Sequence, residues 1–239
     1  MKISIIETGL PPEALQADWP RYPVMFEQLL KGADADLTFD TVSIATGAPL
    51  PAPKGLDGVL ITGSASGVYD PEPWMEPLFE FIRAAAEDKI PQFGVCFGHQ
   101  AMAEALGGKA EKSAKGWGVG RHAYSIPMRA NWMAGGPDHF ALAVSHQDQV
   151  TQAPPNTETI AASEFCPHAG LSYGGFPAAS FQGHPEFGPG YASALHELRR
   201  DRIGDALVDT AIRSFEAPLD SAEVARWMAR FFRENGNTS

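Results

Sequence analysis

The sequence predicts an α/β protein with an open, mostly parallel sheet, helices on both of its faces, and a helical C-terminal extension. Three observations predict it. Between residues 2 and 106, short apolar segments alternate with helix-prone ones, the rhythm of βαβ units. Residues 91–95 form a short apolar run that meets helix-prone sequence across Cys96-Phe97-Gly98, so one strand feeds a helix through a sharp turn. Near the C-terminus, Val224, Trp227, Met228, Phe231 and Phe232 recur at helical spacing and place one apolar stripe on a final helix.

Taken in order, Met1-Lys2-Ile3-Ser4-Ile5-Ile6-Glu7 has one basic residue and an apolar run that Glu7 breaks. That run is too brief for a signal-peptide core and reads as a first buried strand over 2–7. Gly9-Leu10-Pro11-Pro12 ends it, residues 20–31 are helix-prone, and 37–44 lean to β. Residues 56–62 are a further strand that stops at Gly63-Ser64-Ala65-Ser66-Gly67, where the lack of bulky side chains lets the backbone approach a ligand. Residues 73–87 carry Met75, Leu78, Phe79 and Ile82 at i, i+3, i+4 and i+7, with Pro71 and Pro73 near the start, as in an amphipathic crossover helix. The helix after the strand at 91–95 is expected over 99–106, stopping at Gly107-Gly108. Segments 119–126, 140–144, 159–163, 170–173 and 178–181 are expected to extend the sheet, partly antiparallel. Beyond Gly190 the chain turns helical, with Asp220 or Ser221 expected to cap the last helix and its stripe covered by the domain or a partner. With no Ser/Gly linker, charge block or internal repeat, one domain over 1–239 is expected, 190–239 being the helical extension.

Composition narrows function. Lys plus Arg total 18 against 29 for Asp plus Glu, a net charge of −11, the wrong sign for neutralising phosphates, so no nucleic-acid or anionic-membrane partner is expected. The longest apolar stretches are strand-sized, far from the roughly 20 residues of a bilayer span. Cys96 and Cys166 are the two cysteines, too few for a disulfide framework, and a cytoplasmic location is expected.

Gly94-Val95-Cys96-Phe97-Gly98-His99-Gln100 is the sharpest feature: a cysteine between two glycines at a strand-to-helix junction has the form of a nucleophile elbow. Such a turn strains the nucleophile and wants residues without side chains around it. The N-terminus of the following helix favours thiolate over thiol. The plainer reading, a small buried apolar residue, suits Cys166, which sits in Phe165-Cys166-Pro167-His168 with no elbow. A thiolate needs a proton carrier and a group to orient that carrier, and Gly183-His184-Pro185-Glu186 offers both after a strand. Unless paired with Cys96, those two would be an ordinary surface His and Glu. The N–H of Phe97 and one from the Gly63-Ser64 turn are the expected donors to an oxyanion. The Gly63 loop lacks the Gly-Lys-Ser/Thr ending of a P-loop, and His196-Glu197 has Arg200 where a zinc helix needs its second histidine. No metal site and no organic cofactor are expected. Asp201 and Asp205, with Arg199, Arg200 and Arg202, read as a solvated charged face, and Asn237-Thr238-Ser239 as a chance match to a glycosylation acceptor.

Three segments together, Gly94 to Gln100, Val144-Ser145-His146-Gln147-Asp148-Gln149-Val150 and Gln182-Gly183-His184-Pro185-Glu186, resemble the class I glutamine amidotransferases. Within that family the likeness is to the stand-alone branch similar to the amidotransferase half of GMP synthase, and it spans roughly residues 1–187. The resemblance implies a flavodoxin-like fold, Cys96 as nucleophile, His184 as general acid/base and Glu186 as its orienting carboxylate. It also implies that Gln100 and the Ser145-His146 backbone hold the α-amino and α-carboxylate end of a γ-glutamyl substrate. The chain departs from the pattern at Gly63-Ser64-Ala65, commonly two glycines and a proline, and no ATP-pyrophosphatase domain follows in this sequence. Lys115-Gly116-Trp117-Gly118-Val119-Gly120 is similar to a segment of plant γ-glutamyl peptidases. The expected activity is cleavage of glutamine to glutamate and ammonia through a γ-glutamyl thioester, with a synthetase partner possible as acceptor of the ammonia. The alternatives are a γ-glutamyl peptidase or amidase and a non-catalytic interaction module that keeps the fold.

Overall fold

The computed structural model describes residues 1–236; the Asn237-Thr238-Ser239 acceptor motif lies outside them. A seven-stranded sheet is built from β1 (Lys2–Glu7), β2 (Thr38–Ser43), β3 (Gly58–Ile61), β4 (Gln92–Val95), β9 (Thr157–Ala161), β10 (Gly170–Tyr173) and β11 (Ala178–Phe181), in the order β2-β1-β3-β4-β11-β10-β9. Pairing is parallel from β2 to β11 and antiparallel through β10 and β9. The open α/β fold with a mostly parallel sheet is therefore present, and β10 and the edge strand β9 are the antiparallel part.

Successive side chains on a strand point to opposite faces, so each strand feeds two cores. On one face Ile3, Ile5, Leu60, Phe93 and Val95 pack with Phe26 and Leu30 of α1 (Tyr22–Ala33) and with Trp227, Met228, Phe231 and Phe232 of α7 (Ser221–Asn235). On the other, Ile6, Val59 and Ile61 pack with Leu78 and Ile82 of α2 (Met75–Glu87) and with Ala101 and Met102 of α3 (Phe97–Ala105). The C-terminal stripe is thus covered by the chain itself, each large side chain contributing roughly 1.5–3 kcal/mol. Asp220 stands at the N-cap of α7, but neither it nor Ser221 caps with its side chain. Asp220 Oδ2 accepts instead from the Ala141 N–H at 2.7 Å, pinning the helix start to a neighbouring strand.

Two departures from the expected layout bear on the site. Of the segments expected to extend the sheet, β6 (Gly118–Ser125) and β7 (His139–His146) form a separate antiparallel ribbon, touching the main-sheet segments through the single bridges Ser125–Ala162 and Ala143–His184. A second ribbon joins β5 (Lys109–Lys112) to β8 (Asp148–Gln152), neither of which the periodicity marks. Alternation of apolar residues marks a strand but carries no address for its partner. The other departure is the start of α3, at Phe97 rather than residue 99, which makes Cys96 its N-cap residue. Beyond β11 the chain continues through α4 (Pro189–Leu198), α5 (Arg200–Ile203) and α6 (Asp205–Ser214). No helix among the described residues is long and apolar enough to cross a membrane.

Candidate active site

The segments that carry Gly63, Cys96 and His184 leave the carboxyl ends of parallel strands, the side of an open α/β sheet where ligands bind, whereas Ser145 and His146 end the ribbon strand β7. Cys96 ends β4 with φ 53° and ψ −103°, a left-handed-side backbone that a residue bearing Cβ adopts only under strain. Its N–H donates to the Phe181 carbonyl at 2.9 Å, and the Gly98 N–H donates to the Thr62 carbonyl at 3.1 Å, so β11 and β3 clamp the turn from both sides. The flanking glycines are steric requirements. A Cβ at Gly94 would lie 2.5 Å from the Gly98 carbonyl oxygen, and one at Gly98 would lie 2.3 Å from that of Ile61.

His184 follows β11, its N–H donating to the Ala143 carbonyl at 2.9 Å. Its ring Nδ1 lies 2.7 Å from Glu186 Oε1, its face stacks on Phe187 with centroids 3.9 Å apart and planes 3° apart, and Cys96 lies close enough to act on its titration. Burial by itself lowers the pKa of this imidazole. Its interactions with Cys96 and Glu186 outweigh burial and raise it to about 10. Phe187, which sequence reasoning passed over, fixes the ring plane; its position directly after Glu186 was the available signal.

Gly63 closes the other side. A Cβ there would be 3.0 Å from His184 Cε1 and 3.6 Å from Cys96 Cβ, so its backbone abuts the Cys–His pair. Thr8, at the end of β1, holds the loop in place: its N–H donates to Thr62 Oγ1 at 3.1 Å and its hydroxyl donates to the Thr62 carbonyl at 3.0 Å. Among the described residues, the N–H groups of Gly63, Ser64 and Phe97 meet no acceptor.

A cleft of about 210 Å³ opens over the sulfur, bounded by Cys96, Ser64, Gln100, Ser145, His146 and Asp148. His184 and Glu186 are buried and do not line this cleft. The Gln100 amide nitrogen donates to the Asp148 carbonyl at 2.9 Å and to Gln182 Oε1 at 3.1 Å; with both amide hydrogens committed, its oxygen is left as an acceptor. His146 is buried with Nδ1 3.0 Å from the Asp148 carbonyl, and burial pushes its pKa down to about 3, so it is neutral and no proton carrier. Tyr69 donates to Asp148 Oδ2 at 3.0 Å.

The expected charged face is only half a face. Arg200 bridges Glu197 at 2.7 Å and Asp209 at 2.9 Å on the surface. Arg199 and Arg202 instead line the cleft, their guanidinium groups 5.9 and 5.6 Å from the Trp117 ring, and Arg199 Nη1 donates to Ser145 Oγ at 2.9 Å. Nothing local in the sequence separates these arginines from Arg200. Cys166 is buried and its thiol is pushed up to about 12 by burial, in keeping with a structural role.

Three buried histidines give the fold an acid limit. Burial drives His99 and His146 down to about 3 and His196 down to about 4. The unfolded chain protonates its histidines near pH 6.5, so their contribution is present above that pH and is lost as pH falls toward the folded values. At pH 5 each costs roughly 2 kcal/mol. The unfolding free energy measured by urea titration is expected to fall by several kcal/mol between pH 7 and pH 5; equal values would show that these rings are protonated in the fold.

Residues 30–196 match the model of the family Glutamine amidotransferase class-I. The chain is 34% identical over 140 residues to a glutamine-hydrolyzing GMP synthase of an Azoarcus species, which covers 54% of this chain and 25% of that protein. It is 30% identical over 200 residues to a γ-glutamyl-L-1-hydroxyisopropylamide hydrolase of a Pseudomonas species, covering 77% of this chain and 66% of that protein. A solved glutamine amidotransferase from Thermotoga maritima superposes with a TM-score of 0.76 over 97% of this chain and 98% of that one; at 21% identity this speaks for the fold.

Proposed function

This chain belongs to the class I glutamine amidotransferase family, and from that premise we propose that it is a cysteine hydrolase of the γ-glutamyl C–N bond, with glutamine as substrate and glutamate and ammonia as products. The observation that carries the reading is the placement of the Cys96 sulfur at a strained elbow, across the Gly63 backbone from an imidazole, that of His184, held 2.7 Å from a buried carboxylate.

In the proposed mechanism the Cys96 thiolate attacks the side-chain carbonyl carbon, and the oxyanion that forms is met by the free N–H of Phe97 and by one from Gly63-Ser64. His184, already protonated, donates to the leaving nitrogen as the C–N bond breaks, leaving a γ-glutamyl thioester. The now neutral ring takes a proton from water, whose oxygen attacks the thioester carbon, and the sulfur leaves as thiolate beside the re-formed imidazolium. Gln100 Oε1 suits the α-ammonium as acceptor, and the Ser145-His146 segment suits the α-carboxylate.

A second reading, hydrolysis of γ-glutamyl amides or peptides without a nitrogen acceptor, draws support from the Pseudomonas hydrolase, since that likeness extends over 77% of the chain against 54% for the GMP synthase. The deciding experiment offers the full chain glutamine and a panel of γ-glutamyl peptides and follows glutamate release by mass spectrometry. Release from glutamine that rises with an added synthetase marks an amidotransferase subunit, and release from peptides without any partner marks a peptidase. No glutamate from any compound removes the hydrolase reading and leaves an interaction module.

A further inference from the structure

Arg199 is a charge in the cleft that the bond-breaking steps leave unused. It ends α4, in the helical extension, and two bonds dock that helix end on the last residues of β7. His196 Nε2 donates to the Val144 carbonyl at 3.0 Å, and Arg199 Nη1 donates to Ser145 Oγ at 2.9 Å. The guanidinium is half-buried, 5.9 Å from the Trp117 ring, and Cys96 lies close enough to act on its titration. Among the described residues no carboxylate comes within 4.0 Å of it. The acids nearest in sequence, Glu197, Asp205 and Asp209, bridge to Arg200 instead. Asp70 and Asp148, which line the same cleft, accept from the Gly67 N–H at 2.8 Å and from the Tyr69 hydroxyl at 3.0 Å. Burial and the charge of Arg202 lower the pKa of Arg199, a cost that a bound carboxylate offsets.

Lys112 and Arg202, the other cations of the cleft, are exposed, and among the described residues no side-chain hydrogen bond holds either. In glutamine only two methylene groups and the α-carbon separate the carbonyl that the sulfur attacks from the α-carboxylate. The counter-charge of that carboxylate therefore has to stand in the cleft that holds Cys96. A guanidinium already fixed by Ser145 and Trp117 loses little freedom on meeting it, whereas an exposed lysine loses much. We propose that Arg199 is the specificity residue that selects for an unblocked α-carboxylate on the γ-glutamyl group, with Ser145 Oγ and the Trp117 face holding its fork in place. This rests on the hydrolase reading and assigns to its site a residue from the helical extension. Gln100 Oε1, Asp70 and Asp148 give the same cleft acceptors for the α-ammonium, so both charges of the amino-acid zwitterion meet their opposites.

The test compares L-glutamine with its α-amide, in which a neutral group of the same shape replaces the α-carboxylate. In release of ammonia from the γ-amide, the wild-type chain is expected to favour glutamine by about tenfold or more in kcat/KM, chiefly through KM. In Arg199→Gln the loss falls on glutamine and the ratio collapses to about one, and Arg199→Lys restores part of it. A merely structural role would slow both compounds alike and keep the wild-type ratio. A wild-type ratio near one, or a wild-type ratio retained in Arg199→Gln, overturns the assignment. Calorimetric binding of the two compounds to Cys96→Ser protein, with and without Arg199→Gln, separates this from the hydrolase reading, because the same ratios are required whether or not ammonia is released. No ammonia from the wild-type chain with those binding ratios intact overturns the hydrolase reading alone. No binding preference for glutamine, or no binding of either compound, overturns the role of Arg199.

Discussion

Cys96→Ser is expected to lower glutamate release by about 10³-fold or more with the fold intact. The hydroxyl occupies the same elbow but does not supply the thiolate on which attack depends. Serine bears the same Cβ at φ 53°, so the backbone strain is retained and the unfolding midpoint should move little. A second readout belongs to the imidazole. Interaction with Cys96 and Glu186 raises His184 to about 10, so removing the sulfur should bring its titration, followed by NMR, to lower pH. Wild-type turnover in the variant would falsify the assignment of Cys96, and an unmoved His184 titration would break the proposed contact between ring and sulfur.

Gly98→Ala carries the largest expected effect on stability. Its added Cβ would fall 2.3 Å from the Ile61 carbonyl oxygen and 2.9 Å from the carbon, both backbone atoms of the central strand β3. Neither can retreat without breaking the parallel pairing of Ile61 with Gly94 and Ile6. The cost is expected to be at least ~3 kcal/mol, beyond ordinary overpacking because no flexible side chain can yield. Gly32→Ala in α1 is the control: nothing lies within 4 Å of its added methyl, and the substitution should stabilise by roughly 0.5–1 kcal/mol. Denaturation midpoints of the two variants that moved together would refute the steric account of the elbow.

Part of this architecture is legible residue by residue. The strand Lys2–Glu7 has the limits its apolar run predicts, and the stripe on the last helix is buried as its spacing requires. Gly94 and Gly98 mark the elbow because a sharp strand-to-helix turn brings backbone against backbone, which only residues without Cβ permit. His184 and Glu186 stand two apart on one turn, so their spacing names them as a pair.

Other features are not local. Strand 118–125 reads like any strand, and its pairing with 139–146 rather than with the main sheet depends on how α6 and α4 pack around it. Arg199, Arg200 and Arg202 are alike in sequence, yet one meets carboxylates and two meet an indole contributed from residue 117. The sequence by itself determined which residues are able to do chemistry and the backbone shapes they need, because helix and strand periods, glycine clearance and neighbouring side chains act within a few positions. Only the tertiary structure decided which of them meet. The imidazole and the elbow cysteine on either side of Gly63, the free N–H groups near them and the arginines over the cleft each arise where chain segments far apart in sequence are packed together.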